Sequence, residues 1–334
     1  MATLGSKFAE RWLSLLVLPG ALFVSAATAA RVLGQGHALD LTRLVREVKH
    51  WPTAVRAGGL AGLIVTMLAL LLAAAAAGLA AQALGSACEY SVLASRWDSW
   101  PTPLRQIAQR CVNNRRHRWE RERARYAREM DAAARRKALA ALTGRHAGPG
   151  QQTQVGPDVL LDAAYRRMTR VSEFEPQRPT WTGDRINAIS VRFDAAYRLD
   201  LGVVWPSLWL TLPDVERTEI NAAREALQRA TTLAGWGVLY LALTVIWWPA
   251  LIIAAVTSTT AWRRSRDAAD TYAHLVEAST QLHAHALARQ LGVGGSEAEE
   301  HLTSETGWSL TLLLQGRGQG TVSRDAHAPT TSLP

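Results

Sequence analysis

The chain has 334 residues, 48% of them hydrophobic and 19% charged, and a formal net charge of +9. That length leaves room for two globular domains of ordinary size, but the apolar residues are gathered rather than spread. Its two cysteines, Cys88 and Cys111, exclude a disulfide framework and a cysteine metal cluster, and suit a reducing or thiol-indifferent compartment.

Three long blocks carry no charge: Trp12 to Ala30, Ala57 to Cys88, and Ala230 to Trp262. A helix of about 20 apolar residues crosses the hydrocarbon core, and lipid offers no partner to backbone groups, so such blocks must be helical. The second block meets that length with room to tilt. The first follows Lys7 and Arg11 and ends near Ala27-Thr28-Ala29, so it fits either a cleaved signal peptide or an uncleaved span. The span is preferred because the apolar run is nearly full length. Residues 1–95 are therefore expected to form an N-terminal membrane hairpin, with spans at about 12–31 and 58–85. Between them "LDLTRLVREVKHW" reads as an amphipathic helix on the outer leaflet, with Leu41, Leu44, Val45 and Val48 on one side.

Residues 96–142 read as a basic cytoplasmic helix. "WPTP" breaks the span after Trp97 and Trp100, and from Leu104 to Leu142 no Gly or Pro interrupts good helix formers. Thirteen Arg and Lys face four acids between Arg105 and Arg145, a local excess equal to the charge of the whole chain. The apolar stripe of Ile107, Cys111, Trp119, Tyr126, Met130 and Ala133 is thin enough to leave most of the helix wet. Anionic lipid headgroups along residues 105–145 are one partner, a solvated positive-inside helix is the equal alternative, and nucleic acid is disfavoured for want of a binding motif.

Residues 143–158 read as a linker by composition, and residues 159–229 as a helical module with a stalk. Within the module a turn at Pro179 to Gly183 precedes a helix with Ile186, Ile189, Phe193 and Tyr197 on one face. "DLGVVWPSLWLTLPD" follows, thirteen uncharged residues between Asp200 and Asp214. Trp205 precedes Pro206, which predicts a kinked segment. Docking near the membrane is favoured for it over internal packing, and both over a true span. Asp214 is a candidate cap for the stalk that leads into the third block. That block is interrupted by Trp247-Trp248-Pro249 and reads as a C-terminal hairpin over 230–262 with the Trp pair at the far interface. A cytoplasmic helix over 263–291 and a disordered tail over 292–334 complete the chain. One apolar island, "GWSLTLLLQG", interrupts the tail as a segment that docks in trans or a weak strand.

Positive charge near the membrane ends selects four segments with both termini cytoplasmic. Ten Arg and Lys then lie on inner flanks against five in the outer loop, whereas three spans give at best eight against seven.

The turn residues Pro179, Thr180, Gly183 and Asp184 are followed by Tyr197, Leu199, Asp200, Trp205, Pro206, Leu208, Trp209, Leu212 and Pro213. This order resembles an uncharacterised group of bacterial multi-pass membrane proteins with a cytoplasmic P-T-x-x-G-N/D turn and a Y-x-L-D-x-x-x-x-W-P-x-L-W-x-x-L-P signature before a C-terminal membrane hairpin. Ser207 stands where a basic residue is usual, and the final spans are short. The resemblance implies architecture rather than activity.

No P-loop, dinucleotide fingerprint, nucleophile elbow or H-E-x-x-H occurs. No Asp, Glu, His, Lys or Arg lies inside the spans, which weakens an ion-coupled carrier. The candidate docking or ligand residues are Arg178, Trp181, Asp184 and Arg185 at the turn and Trp205, Pro206 and Trp209 in the signature. No catalytic residue, cofactor or metal ligand is assigned. The expected fold is an all-α integral membrane protein, two transmembrane helical hairpins flanking a cytoplasmic helical region. Its expected role is a non-enzymatic scaffold or partner- and lipid-binding platform, with a homo-oligomer and an unidentified cytosolic protein as further partners. An oligomeric channel or membrane-perturbing effector is the alternative, and a membrane-bound enzyme a lesser one.

Overall fold

The computed structural model describes residues 18–40, 42, 43, 45, 46, 59–94, 97–142, 157–293 and 301–316. The first six residues of the expected first span, most of the outer-loop helix and residues 143–156 of the linker lie outside that set. Among the described residues the protein is all helical. Its helices are α1 (Leu18–Leu33), α2 (Gly59–Leu93), α3 (Thr102–Leu142), α4 (Pro157–Val171), α5 (Trp181–Tyr197), α6 (Leu201–Thr211), α7 (Asp214–Leu243), α8 (Ala250–Gln290) and α9 (Ser304–Leu314). Of these, α2 alone is long and apolar enough to cross a membrane by length and composition. The chain divides into two units, Met1–Ser91 with Glu225–Ala268 and Val92–Arg224 with Ala269–Pro334.

In the first unit the apolar residues of α2 are sorted by size. Its buried face is Ala74, Gly78, Ala81 and Gly85, spaced four, three and four apart on one side of the helix. Its large residues point away: Leu63, Ile64, Met67, Leu68, Leu71 and Leu72 are 43% to 62% exposed. The small face lets backbones meet. A Cβ added at Gly235 would press on the Ala81 carbonyl, one at Gly20 on the Ala74 carbonyl, and one at Gly85 would stand 2.8 Å from the Thr232 Cα. A helix in water buries its large apolar residues; helices in lipid gain from close packing of small ones.

The third charge-free block is broken as its Trp-Trp-Pro predicts: α7 ends at Leu243 and α8 starts at Ala250, directly after Pro249. The turn between them is tied to the loop after α1. Gln35 Nε2 donates to the carbonyls of Thr244 (2.8 Å) and Val245 (2.9 Å), and Trp247 Nε1 donates to the Ala38 carbonyl at 2.9 Å. Phe23 packs edge-on against Tyr240, with ring centroids 5.3 Å apart.

In the second unit α3 packs along α4, and a core forms from α5, α6 and parts of α7, α8 and α9. It includes Phe193, Leu199, Val204, Leu208, Ile220, Val276 and Leu310. Three expectations change here. First, α6 is one helix through Pro206, with Trp205 still helical. The carbonyl that loses its partner to proline belongs to Gly202, which is exposed, so water can replace the bond. Second, one side of α6 packs internally, the lesser of the two alternatives: Leu201, Val204 and Leu208, with Leu212 just after the helix, are all at most 7% exposed. Third, the apolar island of the tail is neither disordered nor a strand. It is α9, N-capped by Thr303, whose hydroxyl accepts from the Thr306 N–H at 3.2 Å, and it docks in cis. Leu310 is fully buried, and Thr311 Oγ1 accepts from the Asp200 N–H at 3.1 Å. Burial of Leu310 and the cap supply what the polar composition around the island conceals. The rest of the expected tail, residues 294–300 and 317–334, lies outside the described residues.

Gly235→Leu is expected to lower stability by about 1–3 kcal/mol through overpacking against α2, while Leu68→Val on the outward face changes little. Leu310→Ala should cost about 2–5 kcal/mol, against a minor effect for Leu282→Ala, which is 70% exposed. Thermal melts followed by helical circular dichroism in detergent check both contrasts.

Candidate functional site

The turn residues gather around one structural need. A helix leaves its last carbonyls without intrahelical partners, and α2 ends with Ala94 in the left-handed region at φ 39°. The Thr180 hydroxyl donates to the Val92 carbonyl, and Arg178 Nη1 donates to the Leu93 carbonyl at 3.0 Å. Thr180 is at the same time the N-cap of α5, accepting from the Gly183 N–H at 3.0 Å. Gly183 is required by proximity: a Cβ there would lie 2.8 Å from the Leu93 oxygen. A cation at the carbonyl end of a helix also meets its negative pole.

Asp184 holds the loop that carries Arg178. It is 5% exposed. Its Oδ1 accepts from the backbone N–H of Gln177 (3.0 Å) and Arg178 (2.8 Å), and its Oδ2 pairs with Arg115 Nη2 at 2.8 Å. Arg115 Nη2 also reaches the Val171 carbonyl at 3.1 Å, and Trp119 Nε1 donates to the Ser172 carbonyl at 3.1 Å. Burial pulls the Arg178 guanidinium below its ordinary pKa, and the Asp184 carboxylate opposes that shift. Its second nitrogen donates to Asn187 Oδ1 at 2.9 Å. Arg178, Thr180, Gly183 and Asp184 thus form a clamp on a helix end, with both carboxylate oxygens of Asp184 engaged.

Arg185 points elsewhere. Its Nε donates to Asp270 Oδ1 at 2.7 Å, and His274 lies beside it at 3.4 Å. Trp181, the first residue of α5, is half-buried. No group of three His, Cys, Asp or Glu among the described residues is placed to hold a metal ion.

The signature residues form a second feature. Trp205, Pro206 and Trp209 line a groove of about 540 Å³ together with Asn221 and Arg224 of α7 and Tyr272 of α8. The two Trp rings stand 5.9 Å apart, tilted by 45°. Burial pushes the Tyr272 phenol above its ordinary pKa, and the positive charge of Arg224 pulls it partly back. No family model, curated protein or solved structure matches the chain. Its chemistry rests on its own geometry.

The structure therefore sorts six of the seven candidate residues into a clamp, an α5–α8 ion pair and a groove, and leaves Trp181 half-buried at the start of α5 outside all three. Arg115, the Val92 and Leu93 carbonyls, Asn221, Arg224 and Tyr272 have no marker in sequence.

Asp184→Asn is expected to lower stability by about 2–4 kcal/mol, since it leaves Arg115 without its counter-charge in a largely buried setting. Adding Arg115→Met should recover part of the loss, giving a coupling of about 1–3 kcal/mol in a double-mutant cycle read by denaturant unfolding. Independent, additive losses would show that the pair does not act as one unit.

Proposed function

We propose that the protein is a multi-pass cell-membrane protein, a non-enzymatic platform whose two membrane hairpins hold a cytoplasmic helical module. The observation that carries this reading is the sorting of α2, with small residues inward and large apolar residues outward, an arrangement favourable in lipid and costly in water. Three further features support it. The 230–262 block is broken into two arms by the Thr244–Pro249 turn. That turn shares hydrogen bonds with the loop after α1, as two loops on one membrane face would. The charge excess over residues 105–145 follows the positive-inside bias, so both termini are assigned to the cytoplasm. Anionic headgroups, a second copy of the chain and a cytosolic protein are the partner classes for such a platform.

Several threonine hydroxyls in these segments are already engaged by their own helices. Thr66 donates to the Gly62 carbonyl at 2.8 Å and Thr257 to the Ile253 carbonyl at 2.8 Å. That favours an anchor over a water-filled pore.

Topology tests the reading. In a Cys88→Ala background, Cys111 is exposed and is expected to react with a membrane-impermeant maleimide only after cells are permeabilised. A Gly36→Cys variant, at a position where an added Cβ meets nothing, should react in intact cells. Labelling of Cys111 in intact cells would reverse the orientation and remove the cytoplasmic platform. Release of the chain by alkaline carbonate would remove the membrane reading itself, and leakage of dye from protein-loaded liposomes would favour a channel.

A further inference from the structure

We propose that the groove beside the Trp-Pro helix binds the headgroup of an acidic phospholipid, its phosphate on Arg224 and its first methylenes on Trp205 and Trp209. This rests on the membrane reading above and adds a specific ligand site to it.

The walls and the charge point to one kind of ligand. The groove of about 540 Å³ falls in the size range of small-molecule sites. Two half-buried Trp rings, Pro206 and half-buried Tyr272 give it apolar flanks, and no carboxylate is among its lining residues. Arg224 is its cation. Arg224 is exposed and makes no ion pair with any described residue, whereas neighbouring Arg217 and Arg229 on α7 pair with Asp214 and Glu225. A guanidinium matches phosphate by paired N–H donors and is less strongly hydrated than an ammonium. Asn221, one turn earlier on α7, adds a neutral donor on the same wall.

Apolar surface at the rim extends the match. Leu210 is 77% exposed, next to Trp209. A small water-soluble anion would leave that surface wet; the glycerol and upper acyl carbons of a lipid would cover it. Position along α7 agrees. Arg224 precedes Ala230, the first residue of the uncharged run, by six residues, which is about 9 Å of helical rise. In the proposed membrane arrangement that is headgroup depth, where Trp rings and Arg side chains are favoured.

The test uses the full chain purified in a non-ionic detergent and titrated with dihexanoyl phosphatidylglycerol, dihexanoyl phosphatidylcholine or inorganic phosphate, with bound lipid counted by native mass spectrometry. Phosphatidylglycerol should bind about tenfold or more tightly than phosphatidylcholine, and Arg224→Gln should abolish that preference, as expected for one charge-assisted contact. Arg224→Lys should keep part of it. Trp209→Ala should weaken both lipids. Because Arg224 is exposed, Arg224→Gln is expected to melt like the parent protein. Equal binding of the two lipids, or a preference unchanged in Arg224→Gln, overturns the proposal. Binding also survives or fails by location: phosphatidylglycerol affinity unchanged in Trp209→Ala places the lipid elsewhere. Inorganic phosphate bound as tightly as phosphatidylglycerol makes this a soluble-anion site and overturns the lipid assignment. Carbonate extraction of the chain alongside Arg224-dependent lipid binding would remove the membrane reading while leaving the groove as an amphiphile site.

Discussion

A helix end that is covered by protein must find partners for its carbonyls, and the second unit is arranged around that need at Val92 and Leu93. Leaving a buried carbonyl unpaired costs about 1–3 kcal/mol, so the two residues that satisfy these carbonyls, Thr180 and Arg178, are fixed in place by several neighbours. Gly183 makes the approach possible, and Asp184 ties the Gln177–Arg178 backbone in the orientation that aims the guanidinium. Arg115 then neutralises Asp184 from α3. Taken alone, an ion pair between partners 19% and 5% exposed gains little once desolvation is counted. Its value lies in letting a carboxylate organise the backbone where water is scarce. The P-T-x-x-G-D turn is therefore a capping device first, and its charges serve the cap.

Much of the architecture is legible in the sequence because it is written in local periodicity. Charge-free blocks mark apolar helices, Pro249 marks the break between α7 and α8, and the uninterrupted Arg, Ala, Glu and Leu run marks α3. What is illegible depends on pairing across the chain. Arg115 and Asp184 are 69 positions apart, and nothing in either neighbourhood names the other. The lone arginine among those of the basic helix that meets Asp184 looks like its solvated neighbours. The small stripe of α2 is hidden for a different reason: in a block with so many alanines, a face of Ala74, Gly78, Ala81 and Gly85 becomes visible only when Gly235 and Gly20 are seen against it. The α9 island misleads because its flanks are polar and glycine-rich, whereas its stability comes from the α5–α6 surface on which Leu310 lies.

Size sorting within α2 and the fate of several threonine hydroxyls both support the proposed anchor over a pore. A pore would need polar groups freed from their own backbones and turned to a common axis. The hydroxyls of Thr66, Thr244, Thr257 and Thr259 instead return to carbonyls three or four residues earlier. Such bonds lower the cost of a hydroxyl in an apolar setting without offering it to a permeant ion. In the proposed membrane setting, close Gly and Ala contacts complement this, since dispersion between nearby backbones is the main attraction left when lipid and side chains are equally apolar.

The Trp-Pro helix shows how one short segment can serve both a core and a surface. Leu201, Val204 and Leu208 of α6 and Leu212 just after it recur every three or four positions and fill the core. Trp205, Pro206 and Trp209 fall on the adjacent flank and form the groove wall. An apolar run with no polar face would suggest burial on every side; two adjoining apolar faces with different neighbours explain the same composition without it. Proline contributes to the second face by its missing N–H. A residue with a donor at that position would bond to Gly202, while Pro206 leaves that carbonyl to solvent and puts a rigid apolar ring at the groove edge. Thirteen uncharged residues too few to cross a bilayer are thus accounted for by the core on one flank and, in the proposed reading, by lipid on the other.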